Sequence, residues 1–188
     1  MECIDVEIRG TRPLLMNNPE KMVKARETEK VKGRSGILPS LQDEAETGLY
    51  KNAEGVIYVP SLCVLSSIRE AGKNRVVPGL GKKTYKTFVF SGVQIEPAEI
   101  PLKVANGWAI DVKRMKRGNA YIAGARPRFD EWSLTFQLKI VDVVMRPQVL
   151  KELLIDAGTY KGLCDFRPLY GLFEVTKWQE QATQKETQ

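Results

Sequence analysis

The sequence predicts an α+β fold in the order strand, helix, strand pair, helix, strand, and three observations predict it. Residues 3–9 and 132–144 alternate apolar and polar side chains, as strands with one buried face do. Two apolar stripes keep helical spacing, one across Ser61–Gly72 and one across Pro147–Gly158. A long basic segment then separates the two strands of the central pair.

Cys3-Ile-Asp-Val-Glu-Ile-Arg9 opens the chain as a strand, which Gly10–Met16 continues toward Asn17-Asn18-Pro19. Residues 20–36 are charged and poor in large apolar groups, so 17–48 reads as a mobile insertion. Within it a short helix starts at a Ser40 cap, with acids in its first turn, and ends at Gly48. Residues 49–60 read as a hairpin of two short β-rich runs around a glycine turn. Ser61 is the expected cap of the next helix, with Leu62, Leu65, Ile68 and Ala71 as its buried stripe and Gly72 as its stop. Pro78–Lys83 follows as a flexible basic loop, then strand-like Thr87–Phe90 and Val93–Ile95. Residues 102–112 are expected to pair with 132–144, leaving 113–128 as a projecting basic hairpin. Pro147 opens the second helix, whose Val149, Leu150, Leu153, Leu154 and Ala157 face the core until Gly158 ends it. Leu172–Trp178 closes the fold; 1–178 reads as one domain and 179–188 as a polar tail. This βαββαβ order is that of ferredoxin-like and RNA-recognition folds.

The 188 residues carry 29 Lys and Arg against 23 Asp and Glu, a net charge of +6, which favours a polyanionic partner. The excess is local. Arg69, Lys73, Arg75, Lys82, Lys83 and Lys86 face one acid, Glu70, in 69–86; Lys113, Arg114, Lys116, Arg117, Arg126 and Arg128 face one, Asp111, in 111–128. There is no histidine, so the commonest general base and metal ligand are missing and binding outranks catalysis. No cofactor or metal is implied, and no phosphate-cradling Gly-x-x-x-x-Gly-Lys-Ser/Thr occurs. The three unpaired cysteines suit a reducing cytosol and read as core residues. No apolar run reaches a membrane span, so a cytoplasmic protein without a membrane partner is expected.

The segment Gly158-Thr-Tyr-Lys-Gly162-Leu-Cys-Asp-Phe-Arg167-Pro-Leu-Tyr170-Gly171 leads into the final strand. Its glycines, Gly158 and Gly162 among them, would bring bare backbone amides, Arg167 and Tyr170 against a phosphate chain. The same glycines could serve only as a helix cap and a tight turn, with Arg167 pairing to Asp165 or Glu174. Tyr121, Phe129 and Trp132 are candidates for stacking on bases, although alternation puts Trp132 and Phe136 in the core.

The first strand running into Gly10-Thr11-Arg12-Pro13-Leu14-Leu15, the segment Ile57-Tyr58-Val59-Pro60-Ser61 entering a helix that ends Ile68-Arg69, and the glycine loop before a last strand together resemble the RAMP superfamily. Within it the likeness is to the backbone subunits of CRISPR effector complexes or their virus-encoded relatives. The resemblance implies an RRM-like palm, a glycine loop beside RNA, and a basic hairpin acting as a thumb between neighbouring subunits. It makes Arg12, Arg69, Lys113, Arg114, Arg117, Arg126, Arg128 and Arg167 candidates for the RNA backbone. The exposed Lys82 and Lys83 and the hairpin's Lys116 join them by charge.

The aromatic stacking signature of ordinary RNA-recognition motifs is absent, so binding should be led by phosphates, with weak sequence preference and strong salt dependence. The reading is a non-catalytic single-stranded RNA-binding subunit that assembles head to tail with its own copies, alone or beside other CRISPR subunits. The alternatives are a viral single-stranded DNA-binding protein, or a mimic of a CRISPR subunit that inhibits by protein contact. An enzyme would have to be a metal-dependent nuclease using acids such as Asp111, Asp130, Glu131 or Asp165.

Overall fold

The structure, a computed structural model, describes residues 2–20, 40–117 and 120–181. Most of the expected 17–48 insertion, Gly118 and Asn119 of the expected basic hairpin, and the end of the tail lie outside the described residues.

The fold is α+β. Its main sheet has the order β10-β1-β9-β4, formed by Phe173–Glu180, Glu2–Gly10, Trp132–Ile140 and Val93–Glu96, with β6 (Lys103–Val104) also pairing β9. Every neighbouring pair is antiparallel. A second sheet joins β2 (Leu14–Leu15), β8 (Ala120–Phe129) and β7 (Ala109–Arg117), and a small third one pairs β3 (Tyr58–Pro60) with β5 (Glu99–Pro101). The helices are α1 (Leu41–Thr47), α2 (Ser61–Ala71), α3 (Lys86–Gly92) and α4 (Pro147–Tyr160).

Alternation decides which face of the main sheet is buried. Ile4, Val6 and Ile8 of β1 and Leu134, Phe136 and Leu138 of β9 share one core with Val64 and Ile68 of α2, Val89 of α3, and Leu150, Leu153 and Leu154 of α4. The opposite face presents Asp5, Glu7, Arg9, Thr135, Gln137 and Lys139, none of them buried and none aromatic. Trp132 and Phe136 are core residues, as expected, and so is Phe129, which is therefore removed from the stacking candidates. The Ser40 cap of α1 also forms, its hydroxyl accepting from the Asp43 amide at 3.1 Å.

Several expectations are corrected. Of residues 102–112, Lys103–Val104 pair with Ser133 and Trp132 as expected, but 109–112 fold back on β8 as part of β7, and β9 lies between β1 and β4. Alternation identifies a face and not a partner, and the short 118–119 connection makes the local hairpin the low-entropy choice. Thr87–Phe90 is helical because Tyr85, Val89 and Gly92 bury at helical spacing, while Phe90 stays exposed. The first strand stops at Gly10 and Leu14–Leu15 joins the other sheet. The expected hairpin at 49–60 does form, as a short one held by the Lys51–Ile57 bridge and by bonds from Asn52 to Val56 at 3.1 Å and from Tyr58 to Tyr50 at 3.0 Å, before β3 turns to β5.

Ser61 does not cap α2: β3 runs straight in, Pro60 takes the cap position, and the Ser61 amide donates to the Ala98 carbonyl at 2.8 Å. The buried stripe of α2 is Val64, Ser67, Ile68 and Ala71, while Leu62 is 60% exposed, because a spacing of three drifts off one face. Gly158 does not end α4 either. It lies inside the helix where a Cβ would meet the Phe173 carbonyl at 2.2 Å, so its service is close helix-to-strand packing. The strand β10 extends to Glu180, two residues into the expected tail.

Candidate nucleic-acid interface

Three segments meet at one edge of the molecule: the corner between β1 and β2, the loop 161–171, and the hairpin β7–β8. Backbone bonds knit the first two together. Thr11 and Arg12 amides donate to the Leu172 carbonyl at 2.9 and 3.3 Å, Gly171 donates to Pro13 at 2.8 Å, and Asp165 to Leu15 at 2.9 Å. Gly10 allows this corner to close: the Trp132 indole, which donates to the Arg12 carbonyl at 2.9 Å, lies where a Cβ on Gly10 would sit.

Most of the loop's amides, those of its glycines included, are bonded within the protein, which corrects the expected roles of Gly158 and Gly162. The Gly162 amide donates to Ala157 at 2.8 Å, Leu163 to Gly171 at 2.9 Å and Tyr170 to Phe166 at 3.2 Å, while Phe166 donates to its neighbour's Asp165 carboxylate at 3.1 Å. Gly162 and Gly171 both hold φ near 73°, and a Cβ on Gly171 would meet the Leu163 carbonyl at 2.2 Å. These glycines close the loop on itself.

The hairpin has two unlike faces, because directly paired residues share a face. On one face stand Asp111 opposite Arg126, Lys113 opposite Gly124, and Arg128 opposite Ala109. Here the charges are matched within the protein. Arg126 is only 5% exposed and pairs with Asp165 at 2.9 Å and Glu44 of α1 at 3.5 Å, so it is a buried structural cation and no longer a candidate for phosphate contact. Lys113 pairs with Asp111 at 2.8 Å and bonds the Tyr170 hydroxyl; the Asp111 bond first, then Tyr170, raises its pKa. Arg128 is held by Asp130 at 2.6 Å, and this bond chiefly raises its pKa. Lys113, Tyr170 and Arg128 are thus engaged with internal partners. Asp111, Asp130 and Asp165, expected as candidate metal ligands, act here as counter-ions.

On the other face stand Val112 opposite Ala125, Arg114 opposite Ala123, and Lys116 opposite Tyr121. The Arg114 guanidinium lies over the Tyr121 ring at 3.9 Å from its centroid, and Tyr121 is 60% exposed. Val112, Lys113, Arg114, Tyr121 and Ala123 line an open depression of about 300 Å³. A flat ring backed by a guanidinium can take a base by stacking and a phosphate by charge. Of Arg117 only the backbone is described.

Arg12, Lys82, Lys83, Arg114, Lys116 and Arg167 form no ion pair among the described residues. Arg167 is exposed and pairs with neither acid expected for it: Asp165 goes to Arg126 and Glu174 to Arg9 at 2.6 Å. Arg12 and Arg167 project from the two knitted segments. Lys82 and Lys83 belong elsewhere, on a closed turn and not the flexible loop expected: Val77 donates to Lys83 at 2.8 Å and Lys83 back to Leu80 at 3.3 Å. That turn hangs on the helical layer through Arg75, which binds Glu152 and Asp156 of α4, both at 2.6 Å. Arg69, at the end of α2, lies over Phe90 at 5.0 Å and 3.8 Å from Glu70.

Residue-type reasoning missed the Arg114–Tyr121 stack, an aromatic-cation pair on the open hairpin face. The signal was present in the alternation along 109–117 and 120–129, which puts Arg114, Lys116 and Tyr121 on one face once the two strands pair. Among the described residues no three His, Cys, Asp or Glu side chains gather as a metal site, and no helix is long and apolar enough to cross a membrane. No protein-family model matches the chain, and neither does any curated protein.

Proposed function

We propose that the chain is a cytoplasmic, non-catalytic subunit that binds single-stranded RNA along its phosphates, through the open face of the hairpin. The observation that carries this reading is the Arg114 guanidinium stacked on exposed Tyr121 beside Lys116, with no carboxylate paired to either cation among the described residues. Arg12 and Arg167 extend the positive surface at the hairpin's base. The open face of the main sheet is not the binding platform, since it carries Asp5, Glu7 and Glu174 and no aromatic ring. Recognition is therefore led by charge and stacking and discriminates little between sequences.

The finer fold reading is a ferredoxin-like, RRM-like palm of the RAMP kind. It is supported by the order β10-β1-β9-β4 with all neighbours antiparallel, and by α2 and α4 falling between the strands that such a βαββαβ arrangement requires. Head-to-tail assembly of copies, alone or beside other CRISPR subunits, is supported by β7, which ends its sheet with one edge unpaired among the described residues and with Ile110 and Val112 exposed. The same exposed apolar groups favour a second reading, a protein-contact mimic of such a subunit.

Fluorescence anisotropy with labelled single-stranded RNA and DNA of equal length tests the choice. RNA binding that weakens steeply with salt supports the first reading, with tighter RNA than DNA binding marking 2′-hydroxyl contacts. Equal or better DNA binding supports the viral single-stranded DNA-binding alternative. Binding to neither, with tight capture of a CRISPR complex, supports the mimic.

A further inference from the structure

Cys63 and Cys164 stand far apart in sequence yet face each other in the fold. Cys63 lies in the first turn of α2, one turn before Ser67, whose hydroxyl donates to the Gly162 carbonyl at 2.8 Å. That side of α2 therefore meets the loop at 162–164, and the two thiols lie side by side, each acting on the other's ionisation. Both are free and partly exposed, at the rim of the core.

Two features separate this pair from inert core cysteines. Cys164 holds a φ of 59°, a left-handed conformation that a cysteine seldom adopts, and the bonds around Gly162 and Gly171 keep it there. The groups around the pair are Tyr50, Asp165 and Arg167. The hydrogen bond with Cys164 lowers the Cys63 pKa, helped by Arg167, while the same bond and burial push Cys164 up. Arg167 favours a thiolate at the pair, and a second thiol beside it can resolve an oxidised sulfur.

We propose that Cys63 and Cys164 form a redox-reactive dithiol that a peroxide converts into an internal disulfide, fastening the glycine loop to α2. The Cys63 thiolate attacks one peroxide oxygen, the O–O bond breaks, and the released hydroxide leaves as water once protonated. This gives a sulfenic acid at Cys63. The Cys164 sulfur then attacks that sulfur, the S–O bond breaks, and the hydroxide takes the Cys164 proton and leaves as a second water. Peroxide is reduced and the two thiols are oxidised. A low-molecular-weight thiol reverses the change by exchange. This inference is independent of the nucleic-acid reading.

Cys3, on β1, serves as the internal control. Reduced protein, freed of reductant, is treated with hydrogen peroxide, then alkylated in denaturant, weighed intact and mapped by peptide mass spectrometry. The expected result is a fall from three reactive thiols to one, a mass loss of two hydrogens, and one linked peptide joining Cys63 to Cys164. Dithiothreitol restores all three thiols, Cys3→Ser leaves the link intact, and Cys63→Ser or Cys164→Ser abolishes it. Three persisting thiols, oxygen added without a link, or a link through Cys3 would each overturn the proposal. Wild-type mapping decides the matter alone if either serine variant fails to fold.

Discussion

The two faces of the hairpin are built from the same two strands and both carry cations, yet they do different work. On one, Arg126, Arg128 and Lys113 are met by Asp165, Glu44, Asp130 and Asp111, and the positive charge is spent on joining the hairpin to the loop and to α1. On the other, Arg114 and Lys116 stand beside Tyr121 with no carboxylate partner among the described residues. A count of basic residues therefore overstates the charge available to a partner. What matters is which cations lack a carboxylate, and alternation along one strand sorts them.

The sharpest way to break this comparison is Arg126→Ala. It leaves Asp165 and Glu44 without their cation and is expected to cost about 3–5 kcal/mol of stability, against at most about 0.5 kcal/mol for Arg114→Ala, as read by urea denaturation. Equal losses would erase the distinction between the faces. Gly171→Ala comes next: a positive φ and a Cβ against the Leu163 carbonyl predict a loss of about 1–3 kcal/mol, again by denaturation, with Asp165 displaced from Arg126. No measurable loss would mean that the loop tolerates opening.

On the open face, Tyr121→Ala is expected to weaken single-stranded RNA binding by about 1–3 kcal/mol, and Tyr121→Phe to leave it nearly unchanged, since the ring and not the hydroxyl stacks. Anisotropy titration separates the two variants. Smallest is an effect remote from the hairpin. Hydrogen bonds from Gln181 and then Gln137 lower the Asp5 pKa, so this carboxylate contributes stability above its unfolded range that is lost as pH falls through the depressed folded value. Asp5→Asn should therefore flatten the acid limb of stability against pH slightly and leave RNA binding alone.

Much of the architecture was legible in the residues. Alternation exposed β1 and β9, Ser40 announced α1, and the stripe of Leu150, Leu153 and Leu154 exposed α4. Partner choice was only partly legible, because a strand's pattern is the same whichever neighbour it meets; the expected pairing of 102–112 with 132–144 holds at Lys103–Val104 and fails at 109–112, which meet β8. Phe88 and Phe90 suggested a strand because aromatic content is a weak guide where helical burial competes. For the candidate site, the position of the basic hairpin and the exposure of Arg167 were readable. The pairing of Arg126 with Asp165 and Glu44 was not, since it joins residues 39 and more than 80 positions apart. Glycine content signalled a special loop correctly but not its purpose, because close backbone packing and phosphate binding ask for the same residue.

The most direct measurement is the salt dependence of single-stranded RNA affinity for the wild type and for an Arg114→Ala/Lys116→Ala double variant. Both cations lie on the open face, so the slope of log affinity against log salt should fall by about two units while the melting temperature stays put. An unchanged slope, or a wild type whose affinity ignores salt, would contradict the assignment of this face to phosphate.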